Sequence, residues 1–484
     1  MKSDSSETIV AVATPPGRGG VGIVRVSGAQ SQAIAKSITK KTLKPRYTYF
    51  SSFYNETDDV LDQGIAVFFN GPQSFTGEDV LELHAHGSPV ALDRIVKSIL
   101  KLGARMARPG EFSERAFLNG KIDLAQAESI ADLIDATTEE AAQLAVHSLQ
   151  GEFSEKIKGL IRALIELRVR VEAAIDFSEE EIDEFEISEM RNALKTIFEN
   201  IHSILSTSKR GAVLREGKSI VIAGEPNVGK SSLLNSLCGK EAAIVTAVAG
   251  TTRDILREYI HIEGMPLHVI DTAGLQSTEN AIEQEGIKRA WKEIKEADEI
   301  LLVVDETKHP ENEIQKIWPE YLVNCCNQPS SSSPQPSSSS PQPSSSSPRR
   351  RGSSFHQKSI TIVKNKIDLA GKSAEMIQHE DGAVIFLSAK TGEGLDLLRV
   401  YLKNKLMGTE TSGGLILARR RHMDALERAH RLIQSAEKQL SDHAAYELCA
   451  EDIHQAQKAL SEITGEFTTD DLLGEIFSKF CIGK

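Results

Sequence analysis

No apolar run in the 484-residue chain approaches the roughly 20 residues that cross a bilayer, so a membrane-spanning helix is not expected. The opening Met1-Lys-Ser-Asp-Ser-Ser-Glu7 lacks the apolar core of a secretory leader, and the expected location is the cytoplasm. Cysteine is scarce as well. Cys238, Cys325, Cys326, Cys449 and Cys481 form no Cys-x-x-Cys pair and no zinc set, which suits a reducing compartment, with Cys238 expected in a helix core. Positive charge is also short: 56 Lys and Arg against 69 Asp and Glu leave a net charge of −13. A chain that coats nucleic acid through its phosphates needs the opposite balance. A local RNA site at Arg419-Arg420-Arg421-His422, or between Lys40 and Arg46, stays open, although a basic triplet is more often a helix end.

What is present is the composition of a globular protein, 40% hydrophobic and 26% charged, in a chain long enough for about three domains. Gly224-Glu-Pro-Asn-Val-Gly-Lys-Ser231 is a complete phosphate loop after the strand-like Ser219 to Ala223. Its backbone N–H groups, from Asn227 and Val228 through Gly229 to Ser232, suit a phosphate chain at a helix N-terminus. Lys230 is placed for the terminal phosphates and the Ser231 hydroxyl for Mg²⁺. Asn365-Lys366-Ile367-Asp368, after the strand-like Ile360 to Val363, carries a carboxylate able to accept both N–H groups of the guanine edge. Ser388-Ala389-Lys390 fits the loop covering the same base, so GTP is expected over ATP. Asp271-Thr272-Ala273-Gly274 ends another strand, where the Asp orients the metal shell and the Gly faces the γ-phosphate. Thr251 and Thr252, in Gly250-Thr-Thr-Arg-Asp254, lie between these motifs, and a threonine there can complete the Mg²⁺ shell.

A further absence bears on mechanism. Many GTPases carry a glutamine after the Asp-x-x-Gly segment to orient water, and Leu275 stands there instead. Glu283, on the helix-like stretch Ile282 to Ile294, is the preferred replacement, with Glu279 and Glu285 as rivals; by charge pattern alone all three also suit a solvated face. There is no obvious arginine finger, Arg253 being equally plausible as a surface charge.

Patterning divides the chain. Residues 1–120 alternate strand-like segments (Ile9 to Ala13, Gly22 to Val26, Gly64 to Phe69, Val80 to Ala85) with a helix at Val90 to Leu102, an α+β domain. Residues 121–216 read as long amphipathic helices, Leu124 to Leu149, Glu152 to Ala174 and a third ending near Gly211. A P-loop GTPase domain follows at 217–407. Helical patterning returns in 408–484, so the expected fold is a multidomain α+β and α/β protein with a Ras-like GTPase inserted into an all-helical domain. Within the insert, 328–354 is a Ser/Pro repeat whose composition forms no core. His84 and His86 read as a strand-end pair, with no third metal ligand nearby.

The combination of Ala13-Thr-Pro-Pro-Gly-Arg-Gly-Gly-Val-Gly-Ile23, Ser74-Phe-Thr-Gly-Glu-Asp79, Arg108-Pro-Gly-Glu-Phe-Ser-Glu-Arg-Ala-Phe117, the GTPase motifs and the ending Cys481-Ile-Gly-Lys484 resembles the tRNA-modification GTPase family called MnmE or TrmE. The resemblance covers everything except the Ser/Pro insertion. It implies a homodimer joined through the N-terminal domains, acting with the FAD-dependent MnmG in a heterotetramer or larger assembly on uridine 34 of certain tRNAs. The product is a 5-carboxymethylaminomethyl or 5-aminomethyl group. A 5-formyl- or methylene-tetrahydrofolate donor is implied at Arg25, Glu82, Lys121 and Lys484, groups suited to a pterin edge and a glutamate tail. A K⁺ ion is implied at Asn227, Thr246, Val248 and Thr251, in place of an arginine finger, and the family's catalytic carboxylate aligns with Glu283. Cys481 beside Lys484 is a candidate catalytic thiol or a positioned polar group; a prenylation box rarely ends in lysine. The other function class is a regulatory GTPase of ribosome assembly, which would have no need of a folate-like domain paired with this tail.

Overall fold

The computed structural model describes residues 7–176, 184–238, 257–262, 265–271, 294–309, 360–379, 382–407, 414–443, 445–466 and 470–478, together with 480 and 483. The chain forms two compact units. One comprises Met1–Ala136, Ala141–Gly211 and Gly414–Lys484, the other Thr137–Glu140 and Ala212–Gly413.

The first unit opens with β1 (Ile9–Val12), β2 (Gly19–Ser27), α1 (Ser31–Thr39), β3 (Thr48–Tyr54), β4 (Val60–Phe69), β5 (Val80–Gly87), α2 (Pro89–Lys101), β6 (Arg105–Met106) and α3 (Glu111–Leu118). The strands make one sheet in the order β3-β4-β5-β2-β1-β6. Period-two alternation sorts the faces. Val24, Val26, Leu81 and Leu83 turn inward onto Ile34 and Ile95 of the two helices. The residues between them, Ile23, Arg25, Glu82 and His84, are only half-buried, and Arg25 lies directly opposite Glu82 in the β2–β5 register.

Helices follow: α4 (Leu124–Asp135), α5 (Glu139–Leu149), α6 (Glu152–Asp176) and α7 (Glu184–Glu216). The single helix expected from Leu124 to Leu149 is therefore two. Ala136 is extended, at φ −60 and ψ 126. The β-branched pair Thr137-Thr138 disfavours continuation, while Glu139 and Glu140 open α5, where the helix dipole favours acid. Helix α7 also runs past its expected end near Gly211. A Cβ at Gly211 would overlap the Ile416 carbonyl, so glycine is retained inside the helix by a close crossing, and Gly217, at φ +71, follows its end.

The second unit holds β7 (Lys218–Ala223), α8 (Lys230–Cys238), β8 (Arg257–Ile262), β9 (Met265–Asp271), β10 (Glu299–Asp305), β11 (Ile360–Asn365), α9 (Ile367–Ala370), β12 (Glu375–His379), β13 (Gly382–Phe386) and α10 (Leu395–Met407). The sheet order is β12-β13-β11-β10-β7-β9-β8, with β13, β11, β10, β7 and β9 mutually parallel. The chain then returns to the first unit in α11 (Arg420–Lys438), a π-helical turn at Gln439–His443, α12 (Tyr446–Thr464) and α13 (Asp470–Ser478). Leu164, Leu194, Ile201, Leu426, Ile433 and Ile453 form the centre of the helical core. No helix among the described residues is long and apolar enough to cross a membrane.

Candidate functional site

Parallel strands deliver their loops to one edge of a sheet, and ligands of such sheets bind outside the carboxyl ends. Here that edge carries Gly224 after β7, Asp271 at the end of β9, Asp305 at the end of β10, Asn365 at the end of β11 and Ser388 just beyond β13. Two glycines of the phosphate loop are structurally required. Gly224 has φ +146 and a Cβ there would overlap the Val303 carbonyl; Gly229 has φ +97 and a Cβ would strike the Asn365 amide. Asn227 is left-handed too, at φ +65. Lys230 spans the loop, its Nζ donating to the carbonyls of Gly224 and Glu225 at 2.9 Å each. Ser231 and Ser232 stand exposed at the start of α8.

Asn365 ties three motifs together. Its Nδ2 donates to the Val228 carbonyl at 2.8 Å, and its Oδ1 accepts the Ala389 N–H at 2.9 Å. Lys366 donates from Nζ to the Asn227 carbonyl at 2.9 Å. The Ser388 hydroxyl donates to Asp368 Oδ1 at 2.7 Å and also receives the Thr391 N–H at 3.2 Å, fixing the carboxylate beneath the 388–390 loop. Lys390 is exposed on that loop. The sequence reading missed two supports. Ser236 of α8 donates to the Ala389 carbonyl at 2.7 Å, and Asp305 accepts from Lys366 at 2.7 Å. An Asp ending the wholly buried strand Glu299–Asp305 was the available signal for the second.

The backbone of Asp271 lies opposite Ile222 of β7, at the same sheet edge. Its side chain, Thr272, Ala273 and Gly274 fall outside the described residues, as do Thr246, Val248, Thr251, Thr252 and Glu283 with its rivals Glu279 and Glu285. The Ser/Pro insertion, Cys481 and Lys484 fall outside them too.

In the first unit the sheet face left uncovered by α1 and α2 gathers a second set. Arg25 donates from Nε to Glu82 Oε1 at 2.8 Å, and its guanidinium lies 5.9 Å from the Phe75 ring centre and 5.8 Å from that of Phe112. One of its terminal nitrogens, Nη1, also reaches the Gly483 carbonyl at 3.4 Å, which places Gly483 at this face. Gly483 has φ +98, and a Cβ there would overlap the Val12 carbonyl. Lys121 runs alongside Gly77, whose Cβ would stand 3.4 Å from the Lys121 stem, two residues from Phe75. Arg25, Glu82 and Gly483 are thus brought together, with Lys121 beside the Phe75 loop. His84 sits 3.4 Å from Glu82 and His86 2.7 Å from Asp62; no metal-holding cluster occurs among the described residues.

The basic run at Arg419 turns inward. Arg419 pairs with Asp132 at 2.8 Å, Arg421 with Glu128 at 2.7 Å, and the His422 ring lies 2.8 Å from Glu128. Burial and the two arginines lower the His422 pKa, Glu128 opposing them; burial raises that of Glu128, but His422 and Arg421 outweigh it and hold the carboxyl far below its ordinary range. With those three groups engaged, only Arg420 of the run is exposed to meet RNA.

Family models cover most of the chain. A family model described as the MnmE helical domain matches residues 124–481, and one described as the GTP-binding protein TrmE N-terminus matches residues 8–121. The tRNA modification GTPase MnmE of Photobacterium profundum is 50% identical over 483 residues, covering 100% of both chains. That of Proteus mirabilis is 51% identical over 481 residues, covering 99% of this chain and 100% of its own. That of Chromohalobacter salexigens is 51% identical over 478 residues, covering 99% and 98%. With whole-length relatives at this identity, built around a phosphate loop and a guanine-type edge, the chain belongs to the MnmE family of tRNA modification GTPases.

Proposed function

We propose that this protein hydrolyses GTP at the carboxyl edge of its parallel sheet and couples that cycle to modification of wobble uridine 34 in tRNA, in the cytoplasm, as a homodimer with an FAD-dependent MnmG partner. The observation that carries the GTP half is Asn365, one side chain bonded both to the phosphate loop and to the Ala389 loop, which prepares a phosphate cradle and a base pocket as one piece. Asp368 would accept the two N–H groups of guanine, and loop N–H groups from Asn227 to Ser232 would hold the phosphates. Lys230 would exchange the loop carbonyls it now meets for phosphate oxygens.

The Ser231 hydroxyl at a helix start suits a hard cation, and Thr252 and Asp271 would complete the Mg²⁺ shell. Asn227, in the left-handed conformation at the loop tip, would share a K⁺ ion with Thr246, Val248 and Thr251. These ions supply positive charge where the γ-phosphate develops negative charge. With Leu275 in the usual glutamine position, Glu283 would orient the attacking water. Glu283→Ala is expected to leave GTP affinity nearly intact while turnover collapses by about 100-fold or more, measured by phosphate release at saturating GTP. Turnover equal to wild type would eliminate Glu283 as the catalytic carboxylate.

In the first unit, Glu82 offers an acceptor for a pterin edge, Phe75 a ring to stack on, and Arg25, Lys121 and Lys484 cations for a glutamate tail. That donor set suits a tetrahydrofolate, which supplies a one-carbon unit when bound. Cys481, in the same ending as the Gly483 carbonyl that meets Arg25, is the candidate thiol for that chemistry.

A further inference from the structure

We propose that Asp305 is a positioning residue for nucleotide binding: it holds the Lys366 ammonium against the phosphate loop at Asn227, and so keeps the cradle and the guanine loop locked together before nucleotide arrives. This rests on the guanine-site reading of Asn365 to Asp368.

Asp305 closes β10 opposite Asn365 in the parallel register and is 3% exposed. Both its oxygens are engaged. Oδ1 accepts the Thr307 N–H at 3.1 Å and the Thr307 hydroxyl at 2.6 Å, which fixes the carboxylate plane. Oδ2 accepts from Lys366 Nζ at 2.7 Å, and the same Nζ donates to the Asn227 carbonyl at 2.9 Å. Lys366 thus bridges a strand end and the loop tip. It does so from φ +68, a left-handed backbone that a residue with a Cβ keeps only when its surroundings hold it.

The turn carrying Asp305 is itself fastened to β11. The Glu306 N–H donates to the Asn365 carbonyl at 3.0 Å. Lys364, fully buried, donates to the His309 carbonyl and lies 3.5 Å from Glu306, while Lys372 reaches Glu306 at 2.6 Å. Asp305 therefore cannot follow Lys366 if the lysine swings out. Burial would raise its pKa, but the bonds from Lys366 and Thr307 hold it at about 2, so the partner of the lysine is an anion throughout the neutral range. Removing that anion leaves the lysine ammonium with a single neutral acceptor on the loop. The loop must then be ordered by the nucleotide, at the expense of affinity.

The test is dissociation of a fluorescent GDP analogue from the full-length protein, for wild type, Asp305→Asn, Lys366→Met and the double variant. Asn keeps an oxygen for Thr307, and a thermal melt checks that each variant folds. Each single change is expected to weaken binding by about tenfold through faster release, and for Asp305→Asn turnover at saturating GTP is expected to change far less. The double variant is expected to be no weaker than the worse single, because both remove one interaction. If Lys366→Met weakens binding and Asp305→Asn does not, or if the two effects multiply, the positioning role is overturned and the guanine site survives. If Lys366→Met leaves binding unchanged, the proposal falls, while the guanine site, which rests on Asp368, survives.

Discussion

Glu111 shows what single residues do here away from any ligand. It is 2% exposed at the start of α3, where Arg105 donates to it at 2.6 and 2.8 Å and Arg115 at 3.0 Å. Burial would raise its pKa, but those arginines and the Arg108 N–H lower it from 4.5 to about 2. Because the folded value is depressed, the ionised carboxyl stabilises the fold fully above about 4.5 and progressively less as the pH falls toward 2. Glu111→Gln is expected to lower the melting temperature at neutral pH, at a cost on the order of 2–3 kcal/mol, and the gap to wild type should narrow below about pH 4.5 and close near pH 2. A gap independent of pH would mean that shape and not charge holds this corner. The phosphate loop and the Asn-Lys-x-Asp segment were readable because each acts through consecutive residues. Arg25 and Glu82 stand 57 positions apart, and their pairing became visible only through strand register, which local sequence does not specify. Asp305 was missed for a related reason: its partner Lys366 lies 61 positions away.

Among elements, strands and helices with clear periodicity were found in place, while those set by tertiary contact were not. The strand Thr48–Tyr54 was not anticipated; it carries Phe50 exposed and Phe53 buried at the open edge of its sheet. Helix α3 is short and owes its inward face to Phe112, Arg115 and Ala116. Helix α7 passes through Gly211 because the returning chain presses on it at Ile416. Gly211→Ala is expected to destabilise the first unit by about 1–3 kcal/mol, since the Ile416 backbone cannot retreat as a side chain can. The check is a thermal or urea melt alongside GTP binding, with lowered stability and unchanged affinity as the expected pair. A variant as stable as wild type would show that the crossing yields.

For the whole molecule, the insertion leaves and re-enters the helical domain at neighbouring points, Gly211 and Ile416, both packed within the first unit. Just beyond the return, Arg419 and Arg421 anchor to Asp132 and Glu128 of α4, the helix that follows the N-terminal domain. The insertion was legible from the order of patterns along the chain; the closeness of its two ends was not, because no local sequence signal encodes it. The central claim, that this GTPase serves tRNA modification, is tested most directly by mass spectrometry of tRNA nucleosides from cells lacking the gene, complemented with wild type, Glu283→Ala or Cys481→Ser. The account predicts that the modified wobble uridine disappears on deletion and returns only with wild type. An unchanged nucleoside profile in the deletion would contradict it and leave a regulatory GTPase in its place.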